Sequence, residues 1–177
     1  MGCPQQAHAD LWGAKRSLIL GTNTYAKRNS ADCMCIRADC TLQMDLTEPK
    51  RILVVDGDPA FRGLMSGALE ACGHQVEIAA DGEAAWRALL SKEYDLLVTC
   101  DVMPKASGLD LVRRLRVAVM EIPVIVASDR LDEEDVKKIS RDPWARFNGF
   151  VHKPFQASEL LATVNSVLLA DASRGSP

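Results

Sequence analysis

Three short polar clusters each close an apolar run: Asp56-Gly57-Asp58, Cys100-Asp101-Val102-Met103-Pro104 and His152-Lys153-Pro154. Carboxylates such as Asp56, Asp58 and Asp101 can gather a hard cation through oxygen. Lys153 can neutralise one of them through a charge-assisted hydrogen bond, with Asp56 the candidate acceptor. Cys100 has two readings. A small free thiol is most often buried and inert; beside Lys153 it can instead be favoured as a thiolate, hence a redox-sensitive or thiol-modified site. Asp58 stands before Pro59, so capping a helix competes with any ligand role. Ser128 closes a further apolar run, where its hydroxyl can cap the following turn.

A second group of reactive residues lies near the amino terminus. Four of the six cysteines (Cys3, Cys33, Cys35, Cys40) fall in residues 1–49. Cys33-x-Cys35-x4-Cys40, with Cys3 or His8 as a fourth ligand, invites a zinc reading. Structural zinc sites normally use paired C-x2-4-C knuckles, and this spacing offers one irregular half. Residues 1–49 show no sustained helical or strand period, so the expectation is a disordered or irregular extension of reduced cysteines. Met44 opens Met44-Asp45-Leu46-Thr47-Glu48-Pro49-Lys50-Arg51, a natural lead into a first strand and an alternative start for the chain.

The elements that must position the three clusters begin at Arg51. Ile52-Leu53-Val54-Val55 is short, wholly apolar and rich in β-branched residues, as a strand buried on both faces should be. Phe61, Leu64, Met65, Ala68, Leu69 and Cys72 follow at helical spacing until Gly73. Val76–Ala79 predicts a second strand, and Asp81-Gly82 leads into a helix holding Ala85, Trp86, Leu89 and Leu90. Strands are expected at Asp95–Thr99, Pro123–Ala127 and Gly149–Val151. Helices are expected from Gly108 to about Val117, near Leu131–Ser140, and over Leu160, Leu161, Val164, Val167 and Leu168. Strands and helices in alternation predict an α/β fold: a five-stranded parallel, doubly wound sheet with helices on both faces. In such a sheet, ligands and chemistry gather at the carboxyl ends of the strands, where all three clusters fall.

Composition excludes several classes. The 177 residues are 47% hydrophobic with a net charge of −3, enough for one domain with a sizeable core and an appendage. Residues 1–43 carry five bases (Lys15, Arg16, Lys27, Arg28, Arg37) against three acids (Asp10, Asp32, Asp39), which leaves −5 for residues 44–177. A mildly acidic domain has no general affinity for nucleic acid or anionic lipid. The longest apolar runs are too short to span a bilayer, and Ser17-Leu18-Ile19-Leu20 is too short for a signal-peptide core. The expected location is the cytoplasm, with neither nucleic acid nor membrane as a partner.

Residues 51–169 resemble a response-regulator receiver domain of the CheY-like, flavodoxin-like type. Ile52-Leu53-Val54-Val55-Asp56 is similar to that family's first strand with its acidic end. Tyr94-Asp95-Leu96 leads into the strand that normally ends on the phosphoacceptor, and Met103-Pro104 through Gly108-Leu109 matches the loop after it. Pro123-Val124-Ile125 ending at Ser128 matches the strand that closes on the family's hydroxyl residue. Phe150 takes the switch-aromatic position, and Lys153-Pro154-Phe155 matches the invariant-lysine motif. The resemblance implies domain bounds of 1–49, 50–170 and 171–177. It also implies a stand-alone receiver, since only Ala170–Pro177 follow Leu169.

The same resemblance exposes a defect. The family moves a phosphoryl group from a kinase histidine onto an aspartate, helped by magnesium held between two acids of the first strand and the acceptor. Here Asp56 fills the first acidic slot, Gly57 replaces the second, and Cys100 stands where the acceptor belongs. Magnesium is therefore doubtful, and no catalytic residue or cofactor is assigned. The expectation is a pseudo-receiver, not an enzyme. It would contact a histidine kinase, a phosphotransferase or a downstream target through the fourth helix, fifth strand and fifth helix. The alternative within the fold is a working receiver that brings Asp101 inward through a bulge. The alternative of another class is a thiol, redox or metal protein acting through Cys100 or the amino-terminal cysteines.

Overall fold

The computed structural model describes residues 48–103, 105–139 and 141–173. The expectations for Cys3, His8, Cys33, Cys35, Cys40 and the alternative start at Met44 lie outside the described residues. Among the described residues, five strands, β1 (Arg51–Val55), β2 (Gln75–Ala79), β3 (Leu96–Cys100), β4 (Val124–Ser128) and β5 (Gly149–His152), alternate with five helices. The helices are α1 (Pro59–Ala71), α2 (Gly82–Ser91), α3 (Gly108–Val117), α4 (Glu133–Ile139) and α5 (Ala157–Ala172). All strand pairs are parallel, in the order β2-β1-β3-β4-β5. This is the doubly wound sheet that the alternation predicts. No helix among the described residues is long and apolar enough to cross a membrane.

All five strands differ slightly from the expected limits, and at β3, β4 and β5 specific contacts account for the difference. β3 begins at Leu96 because the Asp95 carboxylate turns back to accept the Arg51 N–H at 2.8 Å; it runs on through Cys100, which pairs with Ala127. β4 starts after Pro123, which has no N–H to give to a ladder, and continues through Ser128. β5 extends to His152, which pairs with Ser128. α4 is shorter than Leu131–Ser140: Asp132 accepts the Asp135 N–H at 2.8 Å, and the helix starts at Glu133.

Alternate residues of each strand enter different cores. Ile52, Val54, Leu96, Val98, Ile125 and Ala127 pack with Met65 and Leu69 of α1 and with Leu160, Val164 and Leu168 of α5. Leu53, Val55, Leu97, Val124 and Val126 pack with Ala85 and Leu89 of α2 and with Leu111, Val112 and Leu115 of α3. The central strands β3 and β4 are buried along their whole length. α4 contributes only part-buried Val136 and Ile139, and none of its residues is fully buried.

Two helices end on the same hydrogen-bond motif with different residues. After α1, the Gly73 N–H bonds the Glu70 carbonyl and the His74 N–H bonds the Leu69 carbonyl, with Gly73 at φ 88°. After α3, the Val119 N–H bonds the Arg116 carbonyl and the Met120 N–H bonds the Leu115 carbonyl, with Val119 at φ 56°. Glycine is the usual residue in that left-handed position. A β-branched side chain there costs about 1 kcal/mol or more.

Gly108 serves a different constraint, a close approach. A β-carbon on it would sit 2.1 Å from the Cys100 carbonyl oxygen, because the loop after β3 folds back so that the Gly108 N–H reaches the Asp101 carbonyl at 3.0 Å. Gly67, inside α1, would place a β-carbon in open space. Chemical denaturation should therefore separate the two: Gly67→Ala stabilises the domain by roughly 0.5–1 kcal/mol, whereas Gly108→Ala destabilises it by about 1–3 kcal/mol through overpacking.

Candidate functional site

The strand order reverses between β1 and β3, and the chain ends of these neighbours lie side by side. Val55 pairs with Thr99, so Asp56 and Cys100 emerge together at the carboxyl edge of the sheet. β4 brings Ser128 to the same edge. β5 pairs Ser128 with His152 and places Lys153 next, its N–H bonded to the Ser128 carbonyl at 2.9 Å. Four strand ends thus assemble a pocket from residues spread over a hundred positions.

Asp56 is buried, and both of its carboxylate oxygens have partners. Oδ1 accepts the Asp58 N–H at 2.8 Å, and Oδ2 accepts a short hydrogen bond from Lys153 Nζ. The Asp56 carbonyl accepts from the Arg62 guanidinium. Lys153, itself 7% exposed, also donates to Cys100 Sγ at 3.3 Å and lies 4.2 Å above the Phe61 ring centre. Phe61 packs in turn on Phe155, with ring centres 5.8 Å apart. A buried charge pair held this way is also shielded from water by aromatic faces.

Cys100 is 6% exposed. Its thiol donates to the Val102 carbonyl at 3.4 Å and receives the lysine on the other side. Burial first, and the nearby Asp56 carboxylate second, push this thiol above its ordinary pKa by more than Lys153 pulls it down. At neutral pH the sulfur is therefore a thiol, not the thiolate that Lys153 alone would favour. Burial is the largest single influence on Lys153 and works against its charge, but the hydrogen bond to Asp56 and the further interactions with Cys100 and Asp56 together outweigh it and hold the ammonium above its ordinary pKa.

The other candidate residues lie around this centre in separate roles. Asp58 is exposed and caps α1, its Oδ1 accepting the Ala60 N–H at 2.8 Å. Asp101 is part-buried, and its carboxylate accepts from Ser128 Oγ at 3.3 Å. The Ser128 oxygen itself accepts the Arg130 and Leu131 N–H groups at 3.0 and 3.2 Å, capping the turn after β4. Phe150 is half-buried against the α2–α3 core, 6.4 Å from Phe147 between ring centres. Gly57 has no side chain to offer. Sequence spacing places Phe61 on a helix face and Val102 within the second cluster, but marks neither of them, nor Arg62, as a contact of this centre.

This donor set does not fit magnesium. The ion demands several hard oxygens in octahedral array. Both oxygens of Asp56 are occupied, Gly57 supplies none, Cys100 presents a soft neutral sulfur, and Asp58 is turned to its helix. Among the described residues, no group of three or more histidine, cysteine or acidic side chains could hold a metal ion.

The pocket makes two measurable demands. Removing one partner of a buried ion pair strands the other, so Lys153→Met should cost about 3–5 kcal/mol, and adding Asp56→Asn to it should recover much of that loss. The pH dependence follows from the signs. A group whose pKa is raised by folding stabilises the protein below its unfolded value and ceases to do so as pH rises through the folded value. Stability should accordingly fall above pH 9.0, where the unfolded thiol ionises, and again above pH 10.5 for Lys153. The first decline should be absent in Cys100→Ala, as followed by thermal melts across that range.

Comparison with known proteins agrees with this architecture. The transcriptional regulatory protein RprY of Bacteroides fragilis is 34% identical over 128 residues, covering 71% of this chain and 52% of its own length. The gliding motility regulatory protein of Myxococcus xanthus is 41% identical over 90 residues, covering 50% of this chain and 12% of its own length. The first of these matches, like the response regulators MprA, leaves the present chain spanning about half the relative's length. Among solved structures, the receiver domain of the Francisella response regulator 1452 superposes with a TM-score of 0.63 at 25% identity, over 69% of this chain and 98% of that one. The chemotaxis response regulator CheY4 of Vibrio cholerae gives 0.62 at 24% identity, over 68% and 99%, which is a likeness of fold. A family model for the response regulator receiver domain matches residues 52–165, and it is to this family that the chain belongs.

Proposed function

We propose that this receiver domain is a pseudo-receiver: a protein-interaction module of a phosphorelay pathway that performs no catalysis and takes up no phosphoryl group in the usual way. One observation carries the reading. At the end of β3, the atom presented to Lys153 is the neutral sulfur of Cys100, and the lysine is already paired with Asp56. A buried neutral thiol is a poor acceptor of a phosphoryl group from histidine, and the surrounding donors do not recruit the cation that the transfer needs. Partner recognition then rests on a surface present without a chemical trigger. By analogy with the family, that surface is α4, β5 and α5, with a histidine kinase, a phosphotransferase or a downstream target as the partner. The proposal concerns the receiver domain alone, since the match covers about half the length of RprY, which is called a transcriptional regulatory protein.

A second reading is favoured by the Asp101 carboxylate, which is part-buried beside the Ser128 hydroxyl. In it, Asp101 accepts the phosphoryl group one residue later than usual. Against this, none of the contacts of Lys153 is to Asp101, so the developing charge would lack its cation. The redox reading through Cys100 has less support, because burial keeps the thiol protonated.

Labelling with acetyl phosphate and magnesium separates these readings. The wild-type chain should stay unlabelled, while Gly57→Asp combined with Cys100→Asp should gain label at position 100, since Asp56, Ser128 and Lys153 are already in place. Labelling of the wild type that disappears with Asp101→Asn would establish the second reading instead. Charge reversal at Glu133, whose side chain is 94% exposed on α4, should weaken capture of a partner without changing the melting temperature.

A further inference from the structure

We propose that His74 is a proton-operated clamp on the chain that leads into β1: its neutral imidazole holds the Lys50 N–H, and protonation releases it. The device sits where the strands begin, at the opposite end of the sheet from Cys100, and does not depend on whether the domain accepts a phosphoryl group.

The geometry at this edge is two-sided. Successive residues of a strand direct their backbone groups to opposite neighbours in the sheet. At the entry to β1, both neighbours meet them with side chains in place of ladder carbonyls. The Lys50 N–H reaches Nδ1 of His74, just ahead of β2, at 3.3 Å. The Arg51 N–H reaches the carboxylate of Asp95, just ahead of β3, at 2.8 Å. The carbonyls are held too, that of Lys50 by the Gln75 N–H at 2.9 Å and that of Arg51 by the Asp95 N–H at 2.8 Å. His74 is anchored from behind, since its own N–H bonds the Leu69 carbonyl at 3.2 Å at the end of α1. Among the described residues, the bond to His74 is the first hydrogen bond along the chain, because Glu48 and Pro49 form none.

The chemistry of the acceptor makes this bond conditional. An imidazole that accepts an N–H at Nδ1 is neutral and carries its proton on Nε2. A second proton on Nδ1 turns the acceptor into a donor that faces the Lys50 N–H, so the bond is lost. Histidine is the side chain whose charge ordinarily changes near neutral pH. Among the described residues, the charged groups within electrostatic reach of the ring are Asp95, ahead of β3, and Lys50, ahead of β1. The imidazolium would be drawn to Asp95, whose carboxylate holds the Arg51 N–H, and repelled by the Lys50 ammonium. Protonation thus removes one side of the clamp and competes for the other.

The environment of the ring sets the direction of the response. Burial, the largest influence, holds the imidazole below its ordinary pKa of 6.5; Asp95 raises it and Lys50 lowers it further. Folding therefore favours the neutral, accepting form. The clamp is intact above pH 6.5, where the unfolded histidine is neutral as well, and is lost as pH falls through the folded value. His74 belongs to neither hydrophobic core, so its release loosens the lead into β1 and leaves the packed layers in place. Local openings of this kind take far less free energy than unfolding the core.

Amide hydrogen exchange on the full chain tests the proposal, followed residue by residue between about pH 7.5 and about pH 5, the range in which histidine titrates. After correction for the intrinsic exchange rate, protection of the Lys50 N–H should fall about three- to tenfold across that range, roughly what one neutral hydrogen bond supplies. At the acid end Lys50 should exchange faster than Val54 in the core. His74→Asn, whose Oδ1 can stand in for Nδ1 but does not titrate, should keep Lys50 protected throughout. His74→Phe, which offers no acceptor, should leave it weakly protected at every pH. The His74 ring resonance, identified by its loss in His74→Asn, should titrate below pH 6.5. The proposal is overturned if Lys50 protection is independent of pH in the wild type, or falls equally in His74→Asn. It is also overturned if Lys50 exchanges no faster than Val54 at the acid end, which would mean global unfolding, or if His74 titrates at or above its ordinary value.

Discussion

The ion pair between Asp56 and Lys153 joins residues 97 positions apart at the point where the sheet reverses its order. Among the described residues, no other ion pair ties the end of β1 to the segment after β5. The pair is buried on both sides, and an isolated charge in that place would be intolerable. Each partner therefore dictates the rest of the pocket. Asp56 must take up the Asp58 N–H with its second oxygen, which sets the entry into α1. Lys153 must find a further acceptor and an apolar cover, which Cys100 and Phe61 provide.

The sulfur is best understood from this arrangement. The lysine charge would favour a thiolate if it stood alone, but Asp56 already balances it, and burial disfavours any further ion. Cys100 remains a neutral member of a closed network, donating to Val102 and accepting from Lys153. In a receiver, that location ordinarily has to exchange ions and phosphoryl groups with solvent. Here the Asp56 carboxylate and the Cys100 sulfur are already engaged by protein groups. Polar groups that are fully satisfied make a pocket rigid rather than reactive.

The two ends of the sheet have different physical characters. At the carboxyl end, polar groups are paired and withdrawn from water. At the other end, apolar side chains remain in water, and Val119 adopts a backbone conformation that its side chain resists. Glycine at position 119 would take that conformation without strain.

The sequence alone was enough to establish the alternation of strands and helices, because strands buried on both faces must be continuously apolar and surface helices must show a 3.6-residue period. It also gave the strand-end position of Asp56, Cys100, Ser128 and Lys153, since those residues terminate the apolar runs. Strand limits were less legible. Whether Asp95 or Cys100 belongs to β3 depends on a carboxylate reaching Arg51 and on pairing with Ala127, neither of which is local. The protonation of Cys100 was also beyond the sequence: it depends on the distances among a lysine, a carboxylate and a thiol, and on how much water reaches them. The division of labour between Asp101 and Ser128, the aromatic cover of Phe61 and the strained exposure of Val119 likewise emerged only when separate elements packed together. Periodicity reports which side of an element is buried, but the groups it meets there are decided by tertiary structure.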